Sequence, residues 1–260
     1  MQQVAMSSKY CFYLLLLCGV WALLSACAKS HRALTADEYL RLGDVQSSRN
    51  RQQKAREYYQ ELLNNFPESY HRAVAQFNIA ESLYREKEYL EARFEYEKFL
   101  ELYPAHSLAG QAQYQIAMCH MQQMRHYDRD QQHTRAALQA FRTLCRQHPQ
   151  DPLVPEAEDH IRQLRQRLAA HEMSVARFYY NKRAYHAAIG RLLNLVQVYP
   201  QAPNLDEALF LLGASYRAEE NFVKAQQVFR TLVDHFPTSS YISRSRAQLR
   251  RLPDTGIVLQ

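Results

Sequence analysis

Glycine and proline are scarce in this 260-residue chain, with 6 of the first and 9 of the second. That is too small a turn supply for a many-stranded sandwich, and too few glycines for a glycine-rich nucleotide-binding α/β enzyme. Gly-x-Ser-x-Gly, P-loop and paired catalytic carboxylate patterns are also missing, so no residues stand out as catalytic. His126, Asp128, Asp130 and His133 lie close in sequence, but without the CxxC or HExxH spacing of a zinc site. No cofactor is expected beyond a covalent lipid. The net charge of +6 comes from 32 basic and 26 acidic residues with no basic run, which argues against a nucleic-acid partner. What remains is 47% hydrophobic, too apolar for a disordered chain. It is rich in glutamine, alanine, leucine and arginine, which favour helices.

Residues 1–26 read as an export signal. Lys9 precedes an apolar run from Cys11 to Leu24, which exits through the small residues Ser25 and Ala26 to Cys27. The run is short and asymmetrically flanked, unlike a membrane-spanning helix. Leu24-Ser25-Ala26-Cys27 looks like a bacterial lipobox, in which Cys27 would carry S-diacylglycerol and an N-acyl chain after cleavage. Several acyl chains on one residue give durable anchoring. Ala28 follows the cysteine where aspartate would retain the protein at the inner membrane, so the expected address is the outer membrane. Residues 27–34 form the lipidated linker. Cys119 and Cys145 are the cysteines left, and both sit in amphipathic helical patterns where free buried thiols are common, although an oxidising compartment would permit pairing.

The chain repeats itself. Phe66-Pro67, Tyr103-Pro104, His148-Pro149, Tyr199-Pro200 and Phe236-Pro237 punctuate it. Twelve residues before each proline stands an alanine: Ala55, Ala92, Ala137, Ala188 and Ala225. Four residues further on comes Tyr59, Tyr96, Phe141, Leu192 or Phe229, and three after that Leu62, Phe99, Leu144, Leu195 or Leu232. Upstream, a small residue marks a first helix: Gly43, Ala80, Ala117, Ala176 and Gly213. Small residues let two helices approach, aromatic ones fill the gaps beside them, and proline ends the second helix. This is the helix–turn–helix unit of the tetratricopeptide repeat. The expected fold is all-α, a superhelical solenoid of five hairpins at 35–67, 68–104, 105–149, 150–200 and 201–237. A C-terminal helix and tail occupy 238–260.

Two repeats depart from even spacing. The third has an insertion centred on Arg125–Asp130, with Asp130 as the expected N-cap of the helix that follows. In the fourth, a lengthened first helix runs from Pro155 towards Tyr180. The last helix, capped by Ser239 or Ser240, turns Arg244, Arg246 and Arg250 to water. First helices line the concave side of such arrays. The lysine and asparagine set that clamps a C-terminal carboxylate in chaperone-type repeats is absent from the groove positions. Phe77, Tyr84, Tyr114, Met118 and Met121 form instead an aromatic and thioether stripe, suited to an extended peptide carrying aromatic residues.

With its lipobox, five repeats, third-repeat insertion and lengthened fourth, the chain resembles the BamD family, lipoproteins of the outer-membrane β-barrel assembly machinery. The local matches are Asp128-Arg129-Asp130-Gln131-Gln132-His133-Thr134-Arg135-Ala136-Ala137 and the stretch from Arg167-Leu168-Ala169 to Ser174-Val175-Ala176. They continue through Tyr179-Tyr180 and Ala184-Tyr185 to Arg191. Gln131 departs from the proline often found there. The resemblance implies a scaffold at the periplasmic face of the outer membrane. Its C-terminal half would bind the POTRA region of BamA, and its N-terminal half would receive terminal segments of unfolded barrel proteins. Accessory Bam lipoproteins would be further partners. Arg191 stands at the position of the family's interface arginine, with Asp128 and Asp130 as further candidates. The alternative is an envelope repeat lipoprotein that coordinates peptidoglycan and Tol–Pal factors.

Overall fold

The computed structural model describes residues 33–253, so Cys27 and the signal lie outside the described residues. Those residues form eleven α-helices and no strand. The first hairpin is α1 (Ala36–Ser48) and α2 (Gln52–Asn65), and the second α3 (Arg72–Arg85) and α4 (Tyr89–Leu102). The third is α5 (Ala109–Gln122) and α6 (Gln132–Gln147), and the fourth α7 (Val154–Asn181) and α8 (Tyr185–Val198). The fifth is α9 (Leu205–Ala218) and α10 (Phe222–His235), followed by α11 (Ile242–Arg251). Every helix packs on the one before and the one after it, and α7 also touches α9. Contacts therefore run between neighbours along the chain, as in a solenoid.

The repeated positions are the core. All five alanines are fully buried, as are Tyr96, Phe99, Phe141 and Phe229. A methyl group on Gly43 would press into the Tyr59 ring, and one on Gly213 would lie 2.8 Å from that of Phe229. In these two hairpins the ring occupies the space that a Cβ would need. Phe66, Tyr103, His148, Tyr199 and Phe236 are the C-caps of α2, α4, α6, α8 and α10, so each second helix stops just before its proline. Four hairpin turns pass through a left-handed residue: Asn50, Lys87, Arg183 and Glu220, with φ between 58° and 67°. At the second turn, the Glu88 N–H reaches the Leu83 carbonyl and the Lys87 N–H that of Tyr84, the two bonds of a Schellman cap.

The third hairpin has a loop in place of that turn, and Gln131 ties it. Its buried amide donates to the carbonyls of His126 and Arg129, each at 2.9 Å, and its Oε1 accepts from Thr134 Oγ1 at 2.8 Å. The residue that departs from the family pattern is thus the loop's main fastening. The helix starts one residue later than expected, so Gln131 rather than Asp130 is its N-cap, and Asp130 Oδ1 accepts from the Gln132 N–H at 3.3 Å from just outside it. Arg167 and His171 on α7 bond the Arg125 and Tyr127 carbonyls, fixing the loop against the long helix. At 28 residues, α7 spans ~42 Å. Its Leu164 and Leu168 belong to the core of hairpins two and three, while Met173 and Ala176 belong to that of hairpins four and five. On α11, Arg244, Arg246 and Arg250 are exposed, as its solvent-facing side requires.

Candidate functional site

Two hairpins use tyrosine where the third and fifth use phenylalanine and the fourth leucine, and each tyrosine hydroxyl finds a carboxylate. Tyr59 Oη donates to Asp44 Oδ1 at 2.8 Å, and Tyr96 Oη to Glu81 Oε1 at 2.5 Å. Each acid follows the small residue of its first helix, Gly43 or Ala80, and so faces the ring that packs there. Phe141 and Phe229 need no acceptor, and the equivalent positions hold Met118 and Ala214. Burial and then Asp44 hold the Tyr59 hydroxyl well above the usual tyrosine range, which keeps it a donor. Asn78 Nδ2 also donates to Asp44 at 3.1 Å, Gln115 Nε2 to Glu81 at 3.1 Å, and Arg85 to Ser47 Oγ at 3.0 Å.

Asp44, Ser47, Asn78, Glu81 and Arg85 line a cavity of about 390 Å³ on the inner face, together with Tyr59, Gln111 and the edge of Phe77. Its character differs from the stripe expected from sequence. Phe77 is only 5% exposed and packs edge-on against Tyr96 and Phe99. Tyr114 is 8% exposed, packed on Phe141, with its hydroxyl donating to Glu156 at 2.7 Å. Both rings turn between helices, because burial there removes more apolar surface than the open groove would. Tyr84, Met118 and Met121 are half-buried against the same core. The groove surface is consequently polar, with amides and carboxylates in front and aromatic rings behind. Asn78 and Arg85 were not among the groove positions read from sequence. Their seven-residue separation, which puts both on one helical face, is the signal that could have found them.

In the C-terminal half, first-helix residues pair with one another. Arg177 on α7 grips Glu207 on α9 bidentately, Nε to Oε1 at 2.7 Å and a terminal nitrogen to Oε2 at 2.5 Å. Arg244 lies 4.3 Å from the Phe210 ring centroid. The outer face of the fourth hairpin carries Arg191, which is 45% exposed and donates to Glu172 at 3.3 Å. The Glu172 side chain is only 6% exposed, so Arg191 neutralises a buried acid while half of its surface stays open. Beside it, Gly190 is exposed in mid-helix, with nothing within 4 Å of where a Cβ would sit.

Asp128 and Asp130 both lie on the exposed loop. His126 Nδ1 bonds Asp128 at 2.7 Å, which lowers the Asp128 carboxyl below its ordinary value. His133 turns away to His120, Nδ1 to Nδ1 at 3.2 Å, so the four residues clustered in sequence do not converge on one point. Cys119 is a buried free thiol, pushed up to about 12 by burial, and Cys145 is a partly buried one.

A family model described as YfiO, outer membrane lipoprotein, matches residues 33–220. The chain belongs to this family. A tetratricopeptide-repeat model matches residues 207–239. The outer membrane protein assembly factor BamD of Neisseria gonorrhoeae is 27% identical over 202 residues, covering 74% of this chain and 76% of that protein. The BamD of Haemophilus influenzae is 23% identical over 215 residues, 78% and 82% of the two chains. A solved repeat protein of Bacteroides fragilis aligns with a TM-score of 0.45 at 12% identity, covering 84% of this chain and 99% of that one. Among the described residues, no helix is long and apolar enough to cross a membrane.

Proposed function

We propose that this lipoprotein is a non-catalytic scaffold of the β-barrel assembly machinery. In this reading it is tethered through acylated Cys27 to the periplasmic face of the outer membrane. The observation that carries the reading is the open cavity across three successive first helices, in a chain whose relatives are named assembly factors. An extended client segment presents unpaired backbone N–H and C=O groups. The Asn78 and Gln111 amides and the Arg85 guanidinium supply donors, and the amide oxygens and Asp44 supply acceptors. Phe77, Tyr84, Tyr114, Met118 and Met121 support this groove from behind, with Tyr84 and the methionines open enough to touch aromatic client side chains.

The outer face around Arg191 suits the POTRA region of BamA. A half-open guanidinium and an unfilled glycine on one helix allow another backbone to approach closely. Asp128 and Asp130 are a secondary contact. The test is cross-linking of a barrel protein's C-terminal peptide to the full chain, with capture of BamA from solubilised envelope. Gln111→Ala should reduce peptide cross-linking while leaving BamA capture intact. Capture of Tol–Pal factors without BamA would refute the assignment and support the alternative role.

A further inference from the structure

Outside both surfaces, a second kind of chemistry gathers where α7 meets the α8–α9 connection. Arg162, Arg165 and Gln166 share one face of α7, at i, i+3 and i+4. Opposite them stand Tyr199, Gln201 and Ala202, with Ala169 as the floor. The enclosed volume is about 70 Å³, several times what a single water needs. Arg165 is held in place by neutral groups: it donates to the Val198 carbonyl at 2.8 Å and lies 5.7 Å from the Tyr199 ring centroid. Its remaining donors and its charge are left over, since a guanidinium has five N–H groups. Arg162 pairs with Asp159 at the rim.

The surroundings are cationic as well. Burial and then Glu172 raise the Tyr199 hydroxyl above its ordinary value, while Arg135, Arg165 and Arg142 act in the opposite sense. Helix α6 contains Arg135, Arg142 and Arg146 and no acidic residue. A second cavity, between α6 and α7, is lined by Arg142, Arg146 and the same Arg162, with Glu158 as its acid. None of these arginines contributes to the inner groove or to the face around Arg191.

We propose that the pocket between α7 and the α8–α9 connection binds one phosphate-type oxyanion, either inorganic phosphate or the phosphate of an anionic lipid headgroup. Arg162 and Arg165 supply the charge, and Gln166 and Gln201 supply amide donors from two walls. Donors converging from separate walls match the diverging oxygens of a tetrahedral anion, whereas a planar carboxylate would engage one guanidinium and leave the far amide unused.

The experiment is calorimetric titration of the full chain, in detergent at low salt, with inorganic phosphate. Gln201→Glu puts a carboxylate on the wall without removing either arginine and should weaken binding by about ten-fold or more. Arg162→Gln should weaken it several-fold, and Arg246→Gln, the same charge loss on α11, should leave it unchanged. Equal loss in the Arg246 variant, or unchanged binding in Gln201→Glu with an unaltered melting curve, overturns the proposal. Vesicles then separate the two sources. Extra retention on equal parts phosphatidylglycerol and phosphatidylcholine over phosphatidylcholine alone, lost in Gln201→Glu, supports the lipid headgroup. Phosphate binding without that extra retention supports the free ion. An oligoglutamate peptide that occupies the site and resists displacement by phosphate refutes the proposal in favour of an acidic protein segment.

Discussion

Arg191→Glu is the sharpest test of how the fourth hairpin holds together. At 3.3 Å, the attraction between Arg191 and Glu172 is about 5 kcal/mol at an effective dielectric of about 20, and about 1.3 kcal/mol in bulk water. Glu172 is buried and Arg191 is half open, so water screens the pair from one side only. Removing one partner of a fully buried pair costs about 3–5 kcal/mol. For Arg191→Gln in this setting we expect about 2 kcal/mol, and for Arg191→Glu about 3 kcal/mol, because a second carboxylate then faces the first. The assay is urea unfolding followed by helical circular dichroism, in a cycle of Arg191→Gln, Glu172→Gln and the double variant. The double variant should recover most of the loss, giving a coupling of about 1–2 kcal/mol. An Arg191→Glu chain as stable as wild type would refute the buried-pair argument. The same cycle guards the partner assay. If BamA capture is lost in the stable double variant, the guanidinium itself makes the contact; if capture returns, Arg191 only supports the helix.

Gly190 and Gly213 should respond in opposite directions to the same change. Gly190→Ala adds a methyl to an open helix face and should stabilise by about 0.5–1 kcal/mol, whereas Gly213→Ala drives one into the Phe229 ring and should cost about 1–3 kcal/mol. Urea midpoints that move the same way for both would contradict the close-approach explanation. Burial, then Arg93 and His133, lower the His120 pKa from 6.5 to about 4. The unfolded chain therefore takes up this proton first, and the stability conferred by neutral His120 is intact above pH 6.5 and lost as pH falls through 4. His120→Gln should flatten that part of the acid dependence, measured as the difference in unfolding free energy above and inside the window. An unchanged difference would exclude His120 as its source.

The repeat was legible because packing imposes it locally. Ala92, Tyr96 and Phe99 lie within two turns of one helix, and their spacing already states which face is buried. Pro155 and the five aromatic-or-histidine plus proline pairs likewise act on their own backbone. What sequence spacing concealed depends on partners far along the chain. Phe77 and Tyr114 sit at inner-face positions, but their rings are drawn aside by Phe99 and Phe141, more than twenty residues away. The role of Arg191 in neutralising Glu172 was hidden because that acid lies nineteen residues upstream on another helix. Gln131 stood out in sequence only as a departure from proline, yet its amide reaches back across five residues to fasten the loop.

The length of α7 sets how the molecule comes apart. One unbroken rod threads two separate hydrophobic clusters, and only Ala169–Glu172 lie between the residues it lends to each. Melting either cluster leaves the other with an overhanging half-helix that retains its own backbone hydrogen bonds. Pulling or denaturing forces should therefore meet these two clusters as separate barriers, with α7 as the element they share.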